Sequence, residues 1–397
     1  MSKWIEKELG KLFSYEQPYR YIVENTEYDK NSGTPVLTAG KSFVLGYTKE
    51  TDNIYMDLPV VIFDDFTTDC KYVDFPFKVK SSAMKFLKSN DDNRYYLPLL
   101  FAYLETLKLS EIGEHKRQWL SEYASKTICL PEDIEEQKRI AAVLTKADEL
   151  IDATQELIDN QKKIKIGLMQ TLLTCGIDKN GVIRSPKTHK FKDSELGPIP
   201  EEWECVELGS YSKSIADGDH MPPPKVEYGI PFVTIGNVKN ESIDFSNTMY
   251  VGYDYFSSID IKRKPQKGDV LYTVVASFGI PILMKNDQDF VFQRHIAIIR
   301  PKEDFKSEFL FYYLKSEAAL KQADDSAVGV AQRTISLTSL RAYKVVKPSL
   351  AEQDCIVSIL QQQDQIIKDL ELEKQKYIDI KKGLMADLLS GKVKVSA

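Results

Sequence analysis

Asp133-Ile134-Glu135-Glu136-Gln137, followed by Leu144, Asp148, Ile151, Ile164-Lys165-Ile166-Gly167-Leu168-Met169 and Leu172-Leu173, returns later in the chain. The second copy is Ser349-Leu350-Ala351-Glu352-Gln353, Leu360, Asp364, Ile367, Ile380-Lys381-Lys382-Gly383-Leu384-Met385 and Leu388-Leu389. The offset of 216 residues between Glu136 and Glu352 holds unbroken to the last pair. Each copy opens with Asp or Ser and has Glu three positions on, the pattern of a capping box. In that motif the first side chain takes an early backbone N–H and the acid reaches back to the cap. Pro131 and Pro348 stand just upstream.

Apolar side chains then recur at three- and four-residue steps. Ile140, Leu144, Ala147, Ile151, Thr154, Ile158, Leu168 and Leu172 form one series; Ile356, Leu360, Ile367, Leu370, Tyr377, Leu384 and Leu388 form the other. The period predicts two amphipathic helices of about 40 residues, each about 60 Å long. Gln161, Lys165, Gln363, Lys374 and Lys381 interrupt the seam. A seam of this length needs a partner, and the nearest is the other copy, so an antiparallel coiled coil is expected. Gly167 and Gly383 each cost about 1 kcal/mol against Ala inside a helix. Close helix-to-helix approach is the expected reason for them.

The repeat runs further than the helices. Trp4-Ile5-Glu6-Lys7-Glu8-Leu9-Gly10 answers to Trp203-Glu204-Cys205-Val206-Glu207-Leu208-Gly209, Gly33-Thr34-Pro35 to Gly229-Ile230-Pro231, and Phe101-Ala102-Tyr103-Leu104 to Phe311-Tyr312-Tyr313-Leu314. These offsets drift between 196 and 210, so the globular segments share a plan and differ by insertions. A common scaffold with diverged loops suits two modules reading different ligands. The expected class is α/β (α+β), a pseudo-twofold tandem. It divides into a module at 1–130, a helix at 131–175, a linker at 176–200, a module at 201–347 and a helix at 348–392. Gly, Pro and the basic run Lys187-Thr188-His189-Lys190 punctuate the linker.

The 397 residues suffice for two or three cores, and 43% hydrophobic with 28% charged is ordinary for a globular protein. No apolar run approaches the roughly 18 residues needed to span a bilayer, and Met1-Ser2-Lys3-Trp4 does not read as a signal peptide. Five scattered cysteines support neither a disulfide framework nor a zinc site, so a reducing cytoplasm is the expected location. A net charge of −6 counts against coating of nucleic acid by bulk charge, but it leaves room for a local basic face.

There is no phosphate-binding Gly loop, nucleophile elbow or zinc helix. Pro131-x-Asp133-x-x-Glu136-x-Lys138 loosely resembles a metal-dependent nuclease pattern. However, capping explains both acids, and the second copy has Asp354 where the first has Lys138. No catalysis by this chain is expected.

Two variable segments alternate with two helices entered by Pro and Glu-Gln and closed by Gly-Leu-Met-x-x-Leu-Leu, and Gly197-Pro198-Ile199-Pro200-x-x-Trp203 starts the second half. This order resembles the specificity (S) subunit of type I restriction-modification systems, over essentially the whole chain. The resemblance implies that the modules are target recognition domains for double-stranded DNA. It also implies that the helices bind modification (methyltransferase) subunits, two of them, with restriction subunits joining for cleavage. S-adenosylmethionine, ATP and magnesium would then belong to those partners and not to this chain. Diverged modules on a pseudo-twofold rod imply an asymmetric site of two half-sites with an unread gap, set by the length of the helices.

Base-reading candidates in the second module are Asp219, His220, Asn237, Ser277, Gln293-Arg294-His295 and Gln332-Arg333-Thr334, because Arg suits guanine and Gln or Asn suits adenine. Lys262, Arg263, Lys264 and Lys267 are candidates for phosphate. Weaker candidates in the first module are Lys41, Tyr47, Thr67, Thr68, Lys71, His115, Lys116 and Arg117. The competing reading is a tandem coiled-coil scaffold whose modules bind proteins.

Overall fold

The computed structural model describes residues 3–38, 42–107, 118–220, 223–330 and 332–395. The chain forms two compact units, one of residues 1–157 with 370–397 and the other of residues 158–369. The two long helices, Ile134–Leu172 and Leu350–Leu388, are each continuous, and each contributes one part to either unit.

The two units repeat one topology. In the first, a four-stranded antiparallel sheet runs in the order Phe13–Glu16, Met84–Ser89, Val60–Asp64, Cys70–Val73. In the second the order is Ser212–Asp217, Ile296–Pro301, Val270–Thr273, Pro281–Leu283. Val60–Asp64 and Val270–Thr273 are buried along their whole length, which their unbroken apolar runs demand of inner strands. A smaller sheet follows in each unit. Thr34–Leu37 lies between Val44–Thr48 (antiparallel) and Lys78–Val79 (parallel); Ile230–Val233 lies between Met249–Val251 (antiparallel) and Val291–Phe292 (parallel). A two-stranded ribbon closes each module, Trp4–Glu8 on Thr127–Pro131 and Glu204–Glu207 on Lys344–Lys347. The second module adds the hairpin Val238–Lys239/Ser242–Ile243 and the short helix Tyr253–Ser258, which accounts for the rise of the offset from 196 to 210.

Within each unit the two helices run antiparallel, as the seam requires. In the first unit Ile140, Ala141 and Leu144 share a core with Leu388 and Leu389; in the second, Leu172 and Leu173 share one with Ile356 and Leu360. The polar interruptions pair across the seam. Lys374 Nζ donates to Gln155 Oε1 at 2.6 Å, and Gln363 Nε2 to Gln161 Oε1 at 2.7 Å. Lys381 meets Asp148 at 2.6 Å, and its repeat partner Lys165 meets Asp364. One Lys–Asp pair thus recurs in both units, since 216 residues separate both Lys165 from Lys381 and Asp148 from Asp364.

Two details of the helices differ from expectation. A Cβ built on Gly167 or Gly383 meets nothing within 4 Å, because both glycines face solvent and not the seam. The close approach expected for them is therefore absent among the described residues. The second correction concerns the capping box. Asp133 Oδ1 accepts from Glu135 N at 3.1 Å and Ser349 Oγ from Glu352 N at 3.3 Å, so the caps form. The Glu352 carboxylate, however, does not return to its cap. It accepts from the two terminal Arg184 guanidinium nitrogens (2.5 and 3.2 Å), from Trp203 Nε1 (3.0 Å) and from Ile177 N (2.9 Å). A charge-assisted pair in a buried site outcompetes a cap that solvent can satisfy. Gly176, at φ +63°, ends the first helix here, and a Cβ would collide with Glu352 and the Trp203 ring. The equivalent glycine after the second helix, Gly391 at φ +72°, packs against Trp4 in the same manner, with a Cβ 3.2 Å from the ring.

The repeated Gln137 and Gln353 are fully buried and do the same work twice. Gln137 accepts from Tyr96 N and donates to Arg94 O and Pro131 O, all at 2.8 Å. Gln353 accepts from Lys306 N (2.8 Å) and donates to Asp304 O (3.3 Å) and Pro348 O (2.9 Å). Each amide ties the loop before a module helix to the start of a long helix. Gln353→Ala leaves one N–H and two carbonyls without their partner and is expected to cost about 3 kcal/mol. Chemical denaturation of the variant against the parent measures this; an unchanged midpoint contradicts the role.

Candidate nucleic-acid interface

Two loop clusters of the second module gather the candidate residues. The first is the turn Gln293-Arg294-His295 between the strands Val291–Phe292 and Ile296–Pro301. Its backbone is pinned from two sides, by Gln293 N donating to Val233 O and Arg294 N to Asp219 O, both at 3.0 Å. Beside it opens a cavity of about 300 Å³ with Phe232, Met249 and Val251 as apolar lining and His220, Lys225, Thr234, Gln293 and Arg294 as polar lining. Burial, with the Arg294 charge next to it, pulls His295 below the usual imidazole range.

The second cluster joins the turn after Val270–Thr273 to the return segment before Ile335. Ala276 N donates to Arg333 O at 3.1 Å and Ile335 N to Val274 O at 2.8 Å. Ala276 sits at φ +59° and Thr273 Oγ1 donates to Ser277 O at 2.7 Å, so the turn is held rigidly with Ser277 exposed. Gln332 is exposed on the adjoining segment, and Val328 and Val330 project from it almost wholly into solvent.

Hydrogen bonding divides the candidates into positioning groups and unengaged groups. Asn237 is buried and saturated: its oxygen accepts from Thr234 N (2.9 Å) and Oγ1 (3.0 Å), and its nitrogen donates to Asp244 O and Asn247 O. An amide has no further capacity in that geometry, so Asn237 is a structural staple and the expectation that it reads a base is corrected. Asp219 accepts from Tyr255 Oη at 2.7 Å and lies 4.0 Å from Arg263; burial and this carboxylate push the Tyr255 phenol up to about 12. Asp217 holds both Arg263 (3.3 Å) and His220 (2.7 Å). Arg333 is clamped on Asp324 and lies over the Phe278 ring, and Lys264 donates to Ser257 O and covers Phe256. The side chains of Ser277, Gln293, Arg294, Gln332, Lys262 and Lys267 make no such bond among the described residues and remain available to a ligand.

In the first module Lys41, His115, Lys116 and Arg117 lie outside the described residues. Thr67 is exposed in the turn after Val60–Asp64, its N–H on Asp64 Oδ1 at 2.8 Å. Thr68, by contrast, is 1% exposed and so is removed from the candidates. Lys71 is exposed and lines a cavity with residues of the first long helix, apart from Thr67. Tyr47 lines a cleft of about 510 Å³ on the smaller sheet with Pro35, Val44 and Phe75.

Sequence reasoning missed Lys80. Its backbone N donates to Leu37 O at 3.0 Å, the bond that Gln293 makes to Val233 O, directly after the equivalent parallel strand. Topologically Lys80 is the first module's Gln293, and its side chain is likewise unengaged among the described residues. No repeated sequence marks this equivalence; only the strand pairing exposes it. Asp217 and Asp324, the anchors of Arg263 and Arg333, were missed because they lie 46 and 9 residues from those partners and no local motif links them. Among the described residues no group of three or more His, Cys, Asp or Glu side chains is placed to hold a metal ion, and no helix is long and apolar enough to cross a membrane.

Comparison with known proteins supplies the family. The model of the type I restriction modification DNA specificity domain matches residues 1–162 and 200–382. The chain is 30% identical over 394 residues to the EcoR124I/EcoR124II type I restriction enzyme specificity subunit of Escherichia coli, covering 93% of this chain and 91% of that protein. It is 31% identical over 274 residues to the MjaVIII specificity subunit of Methanocaldococcus jannaschii, covering 66% of this chain and 61% of that one. Among solved structures, the S subunit of a type I system from M. genitalium superposes with a TM-score of 0.60 at 14% identity, covering 98% of this chain and 96% of that one. A chain from a structure of type I complex assembly and conformational transition gives 0.58 at 17% identity, covering 97% of both.

Proposed function

This chain belongs to the type I restriction-modification DNA specificity family and is a DNA-recognising specificity subunit; on that premise we propose that its two modules read two different half-sites of one bipartite double-stranded target. The observation that carries this reading is the pair Lys80 and Gln293, unlike side chains at one topological position of two modules with the same strand order. Lysine suits the O6 and N7 acceptors of guanine, and glutamine suits the N6/N7 edge of adenine. Arg294, Ser277 and Gln332 add readers in the second module, and Lys262 and Lys267 neutralise phosphates without specifying sequence. Asp217, Asp219, Asp324 and Asn237 hold the reading loops in place.

Partners follow the same repeat. The first unit exposes Leu150, Ile380 and Gly383, and the second exposes Ile366, Ile164 and Gly167, each the other's equivalent at 216 residues. One such set per unit supports docking of two modification subunits, with restriction subunits joining the assembly. S-adenosylmethionine, ATP and magnesium are then bound by those partners, and this chain supplies no catalytic group.

Binding by the complex of this chain with its modification subunits tests the reading. The affinity should fall steeply with salt, and Lys262→Ala should reduce the log–log slope by about 0.9, the value of one phosphate contact. Arg294→Ala should relax discrimination at a single base pair by roughly tenfold. Affinity independent of salt would favour the protein-binding scaffold instead.

A further inference from the structure

We infer that the cavity beside Gln293 is a thymine-reading pocket, in which the apolar lining takes the C5-methyl group of an A·T pair while the Gln293 amide bonds the adenine of that pair. The inference rests on the second module being a DNA reader and adds which base pair one part of it selects.

The lining is the first argument. Met249 presents hydrocarbon to the cavity with the buried Phe232 and Val251 beneath it, and Thr234 adds its methyl because its hydroxyl is spent on Asn237 at 3.0 Å. The only apolar group that any base offers in the major groove is the thymine methyl. Cytosine, guanine or adenine placed against this surface would set polar edges on hydrocarbon, which costs free energy unless they are hydrogen-bonded.

The polar rim is the second. Gln293 is half-buried on a turn whose backbone is fixed on Val233 and Asp219, and its amide has both a donor and an acceptor unspent among the described residues. That is the complement of adenine N7 and N6. The His220 ring, also on the rim, is held by Asp217 at 2.7 Å, and the opposite wall carries strand residues of the smaller sheet. Gln293 thus stands at the rim of a cavity whose sheet wall offers the hydrocarbon of Met249 and Phe232, with Lys225 and Tyr250 on the same sheet. The first module's counterpart has Lys80 in place of Gln293, so the preference belongs to the second module alone.

The test uses the complex with its modification subunits, once its methylated motif is known from sequencing. Each thymine of both half-sites is replaced in turn by 2′-deoxyuridine, which removes only the methyl group, and binding is measured by competition. One position should weaken binding about fourfold, the value of one buried methyl. Met249→Ala should abolish that thymine–uracil difference, whereas Met249→Leu, which keeps the bulk, should retain it. Gln293→Ala should relax discrimination at the same base pair. Specific binding with no uridine-sensitive position, or a sensitive position that ignores Met249→Ala, overturns the pocket and leaves the DNA-reading function standing. Loss of all sequence preference in the parent complex would instead overturn the reading on which the pocket rests.

Discussion

Glu352→Ala should lower the stability of the second unit by about 3–5 kcal/mol, the largest single effect expected in this chain. The carboxylate is the common acceptor of Arg184, Trp203 and the Ile177 N–H, and the Arg184 and Glu352 side chains are only 7% and 9% exposed. Truncation leaves the buried guanidinium only the more distant Glu202 carboxylate at 3.7 Å and Cys175 O at 3.5 Å, and leaves an indole N–H and a backbone N–H without their acceptor. Glu352→Gln keeps the shape and one acceptor oxygen but loses the charge, and should fall between parent and alanine variant. Denaturant unfolding, followed through Trp203 fluorescence in a background with Trp4 and Trp119 replaced by Phe, reads both. A loss under 1 kcal/mol for Glu352→Ala would mean that the junction is a surface ion pair.

The second large effect concerns partners and leaves stability almost untouched. Gly167→Leu together with Gly383→Leu should weaken binding of each modification subunit by about fivefold or more, the effect of overpacking of about 1–3 kcal/mol at its one glycine contact. The same substitutions should raise helix stability slightly, because glycine costs about 1 kcal/mol in a helix interior and neither site has a neighbour within 4 Å. Under the proposed docking, the two solvent-facing glycines at one repeat position, each three residues after an exposed isoleucine, are where a modification subunit's backbone would approach closely. Titration of the variant with modification subunits, beside its thermal unfolding, separates the two effects. Undiminished binding would place the docking surface elsewhere on the helices.

Much of the fold is legible in the sequence because the helix repeat is rigid in register. A 3.6-residue period, caps and polar seam positions locate both helices and their antiparallel pairing, and Lys165 and Lys381 do meet carboxylates across the seam. The purpose of Glu352 and of the two glycines was not legible. A local motif accounts for Glu352 at three residues' distance, while its real partners lie about 150 to 175 residues away in sequence. The site was legible only in part. Gln293 and Arg294 lie together on a cavity, as polar residues on a strand-flanking turn suggest, but Asn237 resembles them in sequence and is buried by hydrogen bonds that only the fold shows. Lys80 is found through strand pairing alone, because the modules' loops have diverged beyond sequence comparison.

The most direct measurement is methylome sequencing of cells carrying this chain and its modification subunit, beside cells from which this chain alone is deleted. A bipartite motif with two unlike half-sites, methylated in the first and lost in the second, is the expected result. An identical set of methylated motifs in both, with the modification subunit present and active, would contradict the assignment of sequence recognition to these two modules.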